Sequence, residues 1–204
     1  MVINSNPDEY IVPANVSIAE IKVKGSKFIA TIVPVKTKEE AEARYFDLKK
    51  QYYNATHNCF AYRLDNSEYR FSDDGEPSGT AGKPIFLVLD GKKLNQALCV
   101  VTRFYGGTKL GTGGLIRAYS DAARQALSGL KIKTMVHTQQ LDLDFKYDQE
   151  NTIRNTLAEV SGKIVDSNYS DKIQMKVAIP LSRVENFSEM LTEKSNSTIQ
   201  IKRI

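Results

Sequence analysis

The sequence lacks tryptophan and has only two cysteines and two histidines among its 204 residues. Cys59 and Cys99 both lie in apolar, strand-like runs, so we expect reduced core thiols rather than a disulfide framework. With so few sulfur and imidazole ligands, a zinc site is not expected, and no other metal or cofactor is indicated. The chain has no stretch near the roughly 18 apolar residues of a membrane helix, and residues 1–9 are polar, unlike a signal peptide. We therefore expect a soluble, cytoplasmic protein with no membrane partner.

A large excess of one charge is also absent. The chain has 28 Lys and Arg residues against 24 Asp and Glu, which gives a formal net charge of +4 and a pI of about 8.9. This balance is compatible with a polyanionic partner such as nucleic acid but does not require one. The length allows one large domain or two small ones, and the oligomeric state is left open.

The first part of the chain is rich in β-forming runs with a helix between them. Residues 18–23 and 27–35, separated by a short gap that contains Gly25, predict a hairpin. Thr37 and Glu40 form a capping-box pattern, which predicts that a helix begins there. We expect an α+β domain over residues 1–133.

The pattern then continues with a strand, a loop and a further helix. Residues 55–64 are strand-like and place His57 and Cys59 on the same face. Residues 72–83 are polar and glycine-rich, and Pro84 can serve as the first residue of a helix.

After residue 131 the pattern changes to strand, helix, strand, strand, helix, strand. Asp148 is a candidate cap for the first of these helices, and a Ser182–Glu185 capping box predicts the start of the second. Residues 163–169 and 172–179 predict a hairpin between them. This order is that of a ferredoxin-like βαββαβ domain, which we place at residues 134–204.

Residues 100–119 contain five of the twelve glycines, between a predicted strand and a helix predicted over 115–127. A helix that opens directly after glycines offers free N–H groups and its positive dipole end to an anion. The spacing is neither GxxxxGK[ST] nor GxGxxG, so ATP hydrolysis and Rossmann-type cofactor binding are not indicated. The alternative is a tight strand-to-helix connection in which the glycines serve packing only. The candidate anion ligands are Arg103, Gly106, Gly107, Lys109, Gly111, Gly113, Gly114 and Arg117.

The acidic loop around Asp73, Asp74 and Glu76 has three interpretations. Carboxylates suit Mg²⁺ or Ca²⁺, but the spacing of a longer calcium loop is missing. In the favoured interpretation the two aspartates accept hydrogen bonds from nearby N–H groups and Gly75 takes a positive φ. In the third, these carboxylates pair with Arg103 or Arg117. The secondary cleft candidates are His57, Asp73, Asp74, Glu76, Ser78, Thr80 and Lys83.

His57 and Cys59 are two residues apart on one strand, so their Cβ atoms lie about 6.5–7 Å apart. Direct hydrogen bonding is poor at this spacing, and no third group to orient a catalytic base is identifiable. We therefore expect a buried thiol beside a structurally bonded histidine and assign no catalytic residue.

Three segments together resemble the YigZ/IMPACT family, in its bacterial two-domain form without an RWD domain. They are THNCFAYR at 56–63, SDDGEPSGTAGKP at 72–84 and TRFYGGTKLGTGGLIRAY at 102–119. The resemblance implies that the first domain is similar to the second domain of the fifth small-subunit ribosomal protein. It implies that the second is similar to the terminal domain of elongation factor G.

The resemblance also implies a link to translation. Eukaryotic members restrain the kinase that shuts down initiation during amino-acid starvation, a stress response, whereas for the bacterial form the family suggests nucleic-acid or ribosome association. We therefore expect a translation regulator that binds RNA, the ribosome or a translation-associated protein through the glycine-rich basic cleft. The alternative is an enzyme that uses the same loop as an anion site for a small phosphorylated or carboxylated ligand. The second domain lacks the RNP1 aromatic signature, so it is as compatible with a protein contact as with RNA.

Overall fold

The computed structural model describes residues 7–204 and divides into two compact units. The first is Tyr10–Met135, and the second contains Val136–Ile204 together with the described residues before Tyr10. Residues 1–6, part of the polar segment that argued against a signal peptide, lie outside the described residues. Both units combine helices with sheets, which confirms the predicted α+β class. Within residues 7–204, no helix is both long and apolar enough to span a membrane.

The first unit is built on a five-stranded antiparallel sheet of order β2-β3-β6-β4-β5, with β1 and β7 forming a separate pair. The strands are β1 (Glu9–Pro13), β2 (Ser17–Val23), β3 (Ser26–Pro34), β4 (His57–Arg63), β5 (Tyr69–Ser72), β6 (Ala97–Phe104) and β7 (Ile132–Val136). The helices are α1 (Lys38–Gln51), α2 (Gly82–Gly91) and α3 (Gly111–Ser128).

Helices cover both faces of this sheet. On one face, strand residues such as Phe28 and Cys59 share a core with Ile85 of α2 and Leu115 of α3. On the other, Phe60 packs in a second core against α1. Because alternate strand residues point to opposite sides, His57 and Arg103, which are direct partners in the β4–β6 register, belong to the face that α2 and α3 cover.

Three predicted helix starts in the first unit differ from the structure in detail. The Thr37 hydroxyl accepts from the Glu40 N–H at 3.2 Å, but the Glu40 carboxylate accepts from the Lys36 N–H, so only half of the capping box forms. The prediction that α2 begins at Pro84 was wrong, since it begins at Gly82, where an Asp73 oxygen accepts the N–H. The helix predicted from residue 115 begins at Gly111, so three of the glycines lie in its first turn.

The second unit has the predicted order β-α-β-β-α-β. Its elements are β8 (Thr138–Phe145), α4 (Glu150–Glu159), β9 (Lys163–Tyr169), β10 (Ile173–Pro180), α5 (Val184–Lys194) and β11 (Gln200–Arg203). The sheet order is β11-β8-β10-β9, and its neighbours are antiparallel. Ile173, Met175, Val177 and Ile179 are buried, as the alternating pattern predicts. The likeness to elongation factor G stays a prediction.

Both caps predicted in the second unit were wrong. The Ser182 hydroxyl and N–H donate to the buried Asp8 carboxylate, so a residue 174 positions away takes the place of the Ser182–Glu185 box. Asp148 lies inside a short 3-10 turn that precedes α4, and no side chain caps that helix. Local spacing cannot show either arrangement, because the first depends on tertiary contact and the second on an extra turn.

Candidate functional site

Arg103, near the end of β6, is a buried cation. Its Nη1 donates to Glu76 Oε1 at 2.5 Å, and the two side chains are only 6% and 3% exposed. Its Nη2 lies 3.5 Å from the Ser26 hydroxyl. The pairing is the one that the third interpretation of the acidic loop describes. Arg103 therefore faces Glu76 rather than solvent, and its charge is compensated inside the unit.

Tyr119 of α3 completes the surroundings of Glu76. Its hydroxyl donates to Glu76 Oε1 at 2.8 Å and lies 3.4 Å from Cys59 Sγ, which in turn lies 3.0 Å from the Asp73 carbonyl oxygen. Sequence reasoning missed Tyr119. Its spacing of four residues from Leu115 placed it on the apolar side of the helix, where a buried hydroxyl needs a polar partner.

Burial, more than any other cause, raises the pKa of the Cys59 thiol and of the Tyr119 hydroxyl well above their ordinary values. Nearby carboxylates act in the same direction. Since a thiolate, not a thiol, is the nucleophile, Cys59 is unsuited to nucleophilic catalysis at neutral pH. Cys99 is likewise a buried free thiol.

Asp73 organises the start of α2. Its Oδ1 accepts from the N–H groups of Ala81 and Gly82 at 2.9 and 2.8 Å, and its Oδ2 accepts from that of Gly79 at 2.8 Å. Both oxygens are thus occupied by backbone donors. Across residues 7–204, no group of three or more His, Cys, Asp or Glu side chains is placed to hold a metal ion.

Asp74 ties the acidic loop to β4 and α1. Its Oδ2 accepts from the Asn58 N–H at 2.7 Å, and its Oδ1 lies 2.9 Å from Lys49 Nζ. Gly75 follows with a φ of 90°. These hydrogen bonds are the ones that the favoured interpretation of the acidic loop predicts, in which the two aspartates accept from nearby N–H groups and Gly75 takes a positive φ.

The remaining cleft candidates differ in exposure and in their hydrogen bonds. Thr80 is buried, and its hydroxyl donates to the Pro77 carbonyl oxygen. Ser78 and Lys83 are exposed. The His57 ring has Nδ1 2.8 Å from the Asp74 carbonyl oxygen and Nε2 4.0 Å from Glu76 Oε1.

The glycines of the loop divide into packing and exposed positions. A Cβ on Gly106 would lie 1.9 Å from the Gly25 carbonyl carbon, so the β2–β3 turn rests directly on the chain after β6. Gly107, Gly111 and Gly113 would meet no atom within 4 Å. A Cβ on Gly114 would lie 3.1 Å from that of Leu110. Gly106 is therefore required for packing, whereas Gly107, Gly111 and Gly113 leave the backbone open.

The start of α3 is the exposed part of the candidate site. No side chain caps it, and Lys109 and Arg117 are exposed beside it. In the described part of the chain neither cation has an ion-pair partner, although Arg117 Nε donates to the Gly113 carbonyl oxygen at 3.3 Å. Tyr105 is 47% exposed, and its ring centroid lies 5.5 Å from Cζ of Arg103. We call Tyr105, Lys109, Arg117 and the backbone of residues 111–114 the α3 surface.

Comparisons with known proteins cover nearly the whole chain. The family model of the Impact N-terminal domain matches residues 24–127, and that of a domain of unknown function, DUF1949, matches residues 143–198. An IMPACT family member from Haemophilus influenzae is 36% identical over 197 residues, 95% of this chain and 96% of that protein. The IMPACT family member YigZ from Escherichia coli is 33% identical over 198 residues, 95% of this chain and 97% of that protein.

A crystal structure described as that of a hypothetical protein is similar over the same extent. It is 34% identical with a TM-score of 0.69, and the match covers 97% of this chain and 98% of that one. The buried residues Cys59, Glu76, Arg103 and Tyr119 and the α3 surface all lie inside the segment that matches the Impact N-terminal domain.

Proposed function

The chain belongs to the IMPACT family, and on that premise we propose that it is a cytoplasmic, translation-linked regulatory factor that binds RNA on the ribosome through the α3 surface. The matches confirm the resemblance that the three sequence segments suggested. The family's link to translation supports the regulatory role.

One observation carries the RNA-binding part of the proposal: two exposed cations, for which residues 7–204 supply no acidic partner, lie beside a helix start that no side chain of those residues caps. The first N–H groups of α3 have no intrahelical acceptor, and the helix dipole adds positive potential there. Lys109 and Arg117 supply exposed positive charge at the same place. Phosphate groups are the natural partners of such an arrangement, because they accept hydrogen bonds and carry negative charge.

Tyr105 supports a single-stranded RNA partner. Aromatic side chains bind unstacked bases by stacking, and such contacts occur beside cations that follow the phosphate backbone. The Tyr105 ring is about half exposed and has the Arg103 guanidinium on one side. The α3 surface thus combines a stacking group with phosphate ligands.

In this proposal Arg103 holds neighbouring residues of the α3 surface in place and does not itself bind phosphate. Its side chain holds Glu76 and lies against the Tyr105 ring. Replacing it would leave a buried carboxylate unpaired, so a loss of binding in an Arg103 variant would not report on the α3 surface.

The test is co-sedimentation with ribosomes across a salt series. The informative variant is Lys109→Ala with Arg117→Ala. The control is Lys93→Ala with Arg124→Ala, which removes the same charge from two exposed cations that are paired with Asp90 and Asp121. We expect salt-sensitive association that the first variant loses and the control keeps. Equal association of both variants would overturn the assignment.

A separate binding measurement addresses the enzyme alternative. Binding of small phosphorylated compounds but not of RNA would favour it.

A further inference from the structure

Helices α4 and α5 pack on one face of the sheet in the second unit and leave its other face open. The residues that they cover, such as Leu143 and Met175, are buried in the core of this unit. Because alternate strand residues point to opposite sides of a sheet, the residues between them lie on the other face, which we call the open face. It is polar, and its side chains line an open cavity of about 450 Å³.

The open face has a row of charges that alternate in sign. Four residues are direct partners in the register of β11, β8, β10 and β9, in this order: Lys202, Asp142, Lys176 and Asp166. Side chains at such positions are neighbours, with Cβ atoms about 5 Å apart. Within residues 7–204 none of the four is in an ion pair, and only Asp166 accepts a hydrogen bond, from the Ser167 N–H. The charges are therefore available to a partner.

This row is complementary to itself under one symmetry operation. A two-fold axis that runs along the strands, midway between β8 and β10, places the open faces of two copies against each other and reverses the strand order. Lys202 of one copy then faces Asp166 of the other, and Asp142 faces Lys176. A two-fold axis across the strands would instead place each lysine against its own copy. The charge pattern thus selects the first arrangement.

The neighbouring row of the open face fits the same axis. In the same strand order it consists of Gln200, Asp144, Gln174 and Asn168. Asp144 lies 3.4 Å from Lys172 Nζ, but its carboxylate accepts no hydrogen bond from residues 7–204. The axis places the Gln174 amide of the second copy opposite this carboxylate, and an amide N–H is a donor.

The dimensions of the face are those of a weak contact. Packed sheets lie about 10 Å apart, a gap that a lysine and an aspartate side chain together span, and the cavity leaves room for the partner's lysines. Four strands of this length present roughly 500 Å², which is less than the about 800 Å² per partner of stable complexes. We therefore expect reversible association rather than a permanent oligomer.

We propose that the open face is a self-association surface, through which two copies of this chain form a weak, salt-sensitive dimer with two-fold symmetry. The proposal does not depend on RNA binding, because it uses none of the residues of the α3 surface.

The first test is sedimentation velocity of the full chain over a range of protein and salt concentrations. We expect a dimer with a dissociation constant of about 10–100 μM at low ionic strength. The constant should rise about tenfold or more in 0.5 M salt, on the order of a few Debye lengths' screening, because exposed charge pairs are screened. A chain that stays monomeric at all these concentrations overturns the proposal.

Charge reversal tests the face itself. Asp142→Lys and Lys176→Glu each place like charges opposite one another in the dimer, so each variant alone should associate at least about tenfold more weakly. A mixture of the two variants has opposite charges at both positions and should associate as the native chain does. A folding defect cannot produce this recovery. The control is Lys50→Glu, which changes an exposed lysine of α1 and should leave association unchanged.

Three further results would overturn the proposal. Association that both single variants keep would assign the dimer to another surface. A mixture of folded variants that does not associate would exclude the pairing of Asp142 with Lys176. A monomeric native chain whose affinity for RNA falls in Lys176→Glu would assign the open face to RNA instead.

Discussion

Arg103 Nη1 lies 2.5 Å from Glu76 Oε1, and the pair joins strand β6 to the acidic loop between β5 and α2. Tyr119 adds a third element, because its hydroxyl donates to the same oxygen. The glycine-rich segment and the acidic loop, which are separate motifs in the sequence, are thus one structural unit around a buried carboxylate.

The first prediction concerns this pair. Arg103→Ala should lower the free energy of unfolding of the first unit by about 3–5 kcal/mol, because it leaves a buried charge without its partner. Arg103→Met combined with Glu76→Leu and Tyr119→Phe should recover most of the loss, since neither a charge nor an unpaired hydroxyl is then buried. Urea denaturation of the three proteins measures this. A loss under about 1 kcal/mol in Arg103→Ala, typical of an exposed pair, would contradict the buried pairing.

The second prediction concerns the two kinds of glycine. Gly106→Ala should destabilise the first unit strongly or prevent its folding, since the new Cβ would overlap the Gly25 backbone. Gly113→Ala, in open space within the first turn of α3, should instead stabilise by about 0.5–1 kcal/mol. Thermal unfolding of both variants provides the comparison. Similar melting temperatures would show that the close approach of Gly25 and Gly106 is wrong.

The third prediction concerns Asp73. Asp73→Ala removes the acceptor for three backbone N–H groups at the start of α2. We expect a loss of about 1–3 kcal/mol in the free energy of unfolding, since those donors lose their partner. Asp121→Ala, which breaks only an exposed pair with Arg124, is the control and should change stability little. Equal effects of the two substitutions would argue against the capping role.

The fourth prediction concerns pH. Burial raises the pKa of the Cys99 thiol from 9.0 to about 12. The folded protein therefore holds this proton more tightly than the unfolded chain does, so the contribution is complete below pH 9 and is lost as the pH rises toward 12. Over that window the thiol should add a fall of about 1.4 kcal/mol per pH unit to the free energy of unfolding.

Cys99→Ala isolates this contribution. The packing energy that this substitution removes does not depend on pH. The free energy of unfolding of the variant should therefore fall less steeply above pH 9 than that of the native protein. Parallel pH profiles of the two proteins would contradict the burial of the thiol.

The sequence predicted most elements because their signals are local. Alternation in the hairpin of the second unit and the turn chemistry of Asp73, Asp74 and Gly75 depend on neighbours within a few residues, and the structure agrees with both. The sequence analysis also expected the family segments to lie near one another. The β4–β6 register agrees for two of them, because it pairs His57 of the first segment with Arg103 of the third.

The remaining features depend on contacts that local patterns do not contain. The Asp8 bond to Ser182 joins residues far apart in the chain. The burial of Arg103 depends on Glu76 and Tyr119 arriving from two other elements, so its sequence position beside Lys109 suggested a surface cation. The first turn of α3 contains three glycines, which helix propensity disfavours, so the sequence pattern placed the start of this helix four residues too late, at Leu115.

The central claim is that Lys109 and Arg117 bind phosphates of single-stranded RNA. The most direct measurement is the slope of the logarithm of the association constant against the logarithm of salt concentration, for a labelled RNA oligonucleotide. For Lys109→Ala with Arg117→Ala we predict weaker binding and a slope smaller in magnitude by about 1.4, because two phosphate contacts no longer release counterions. The Lys93→Ala and Arg124→Ala control should keep the native slope. A native slope in the Lys109 and Arg117 variant would contradict the account.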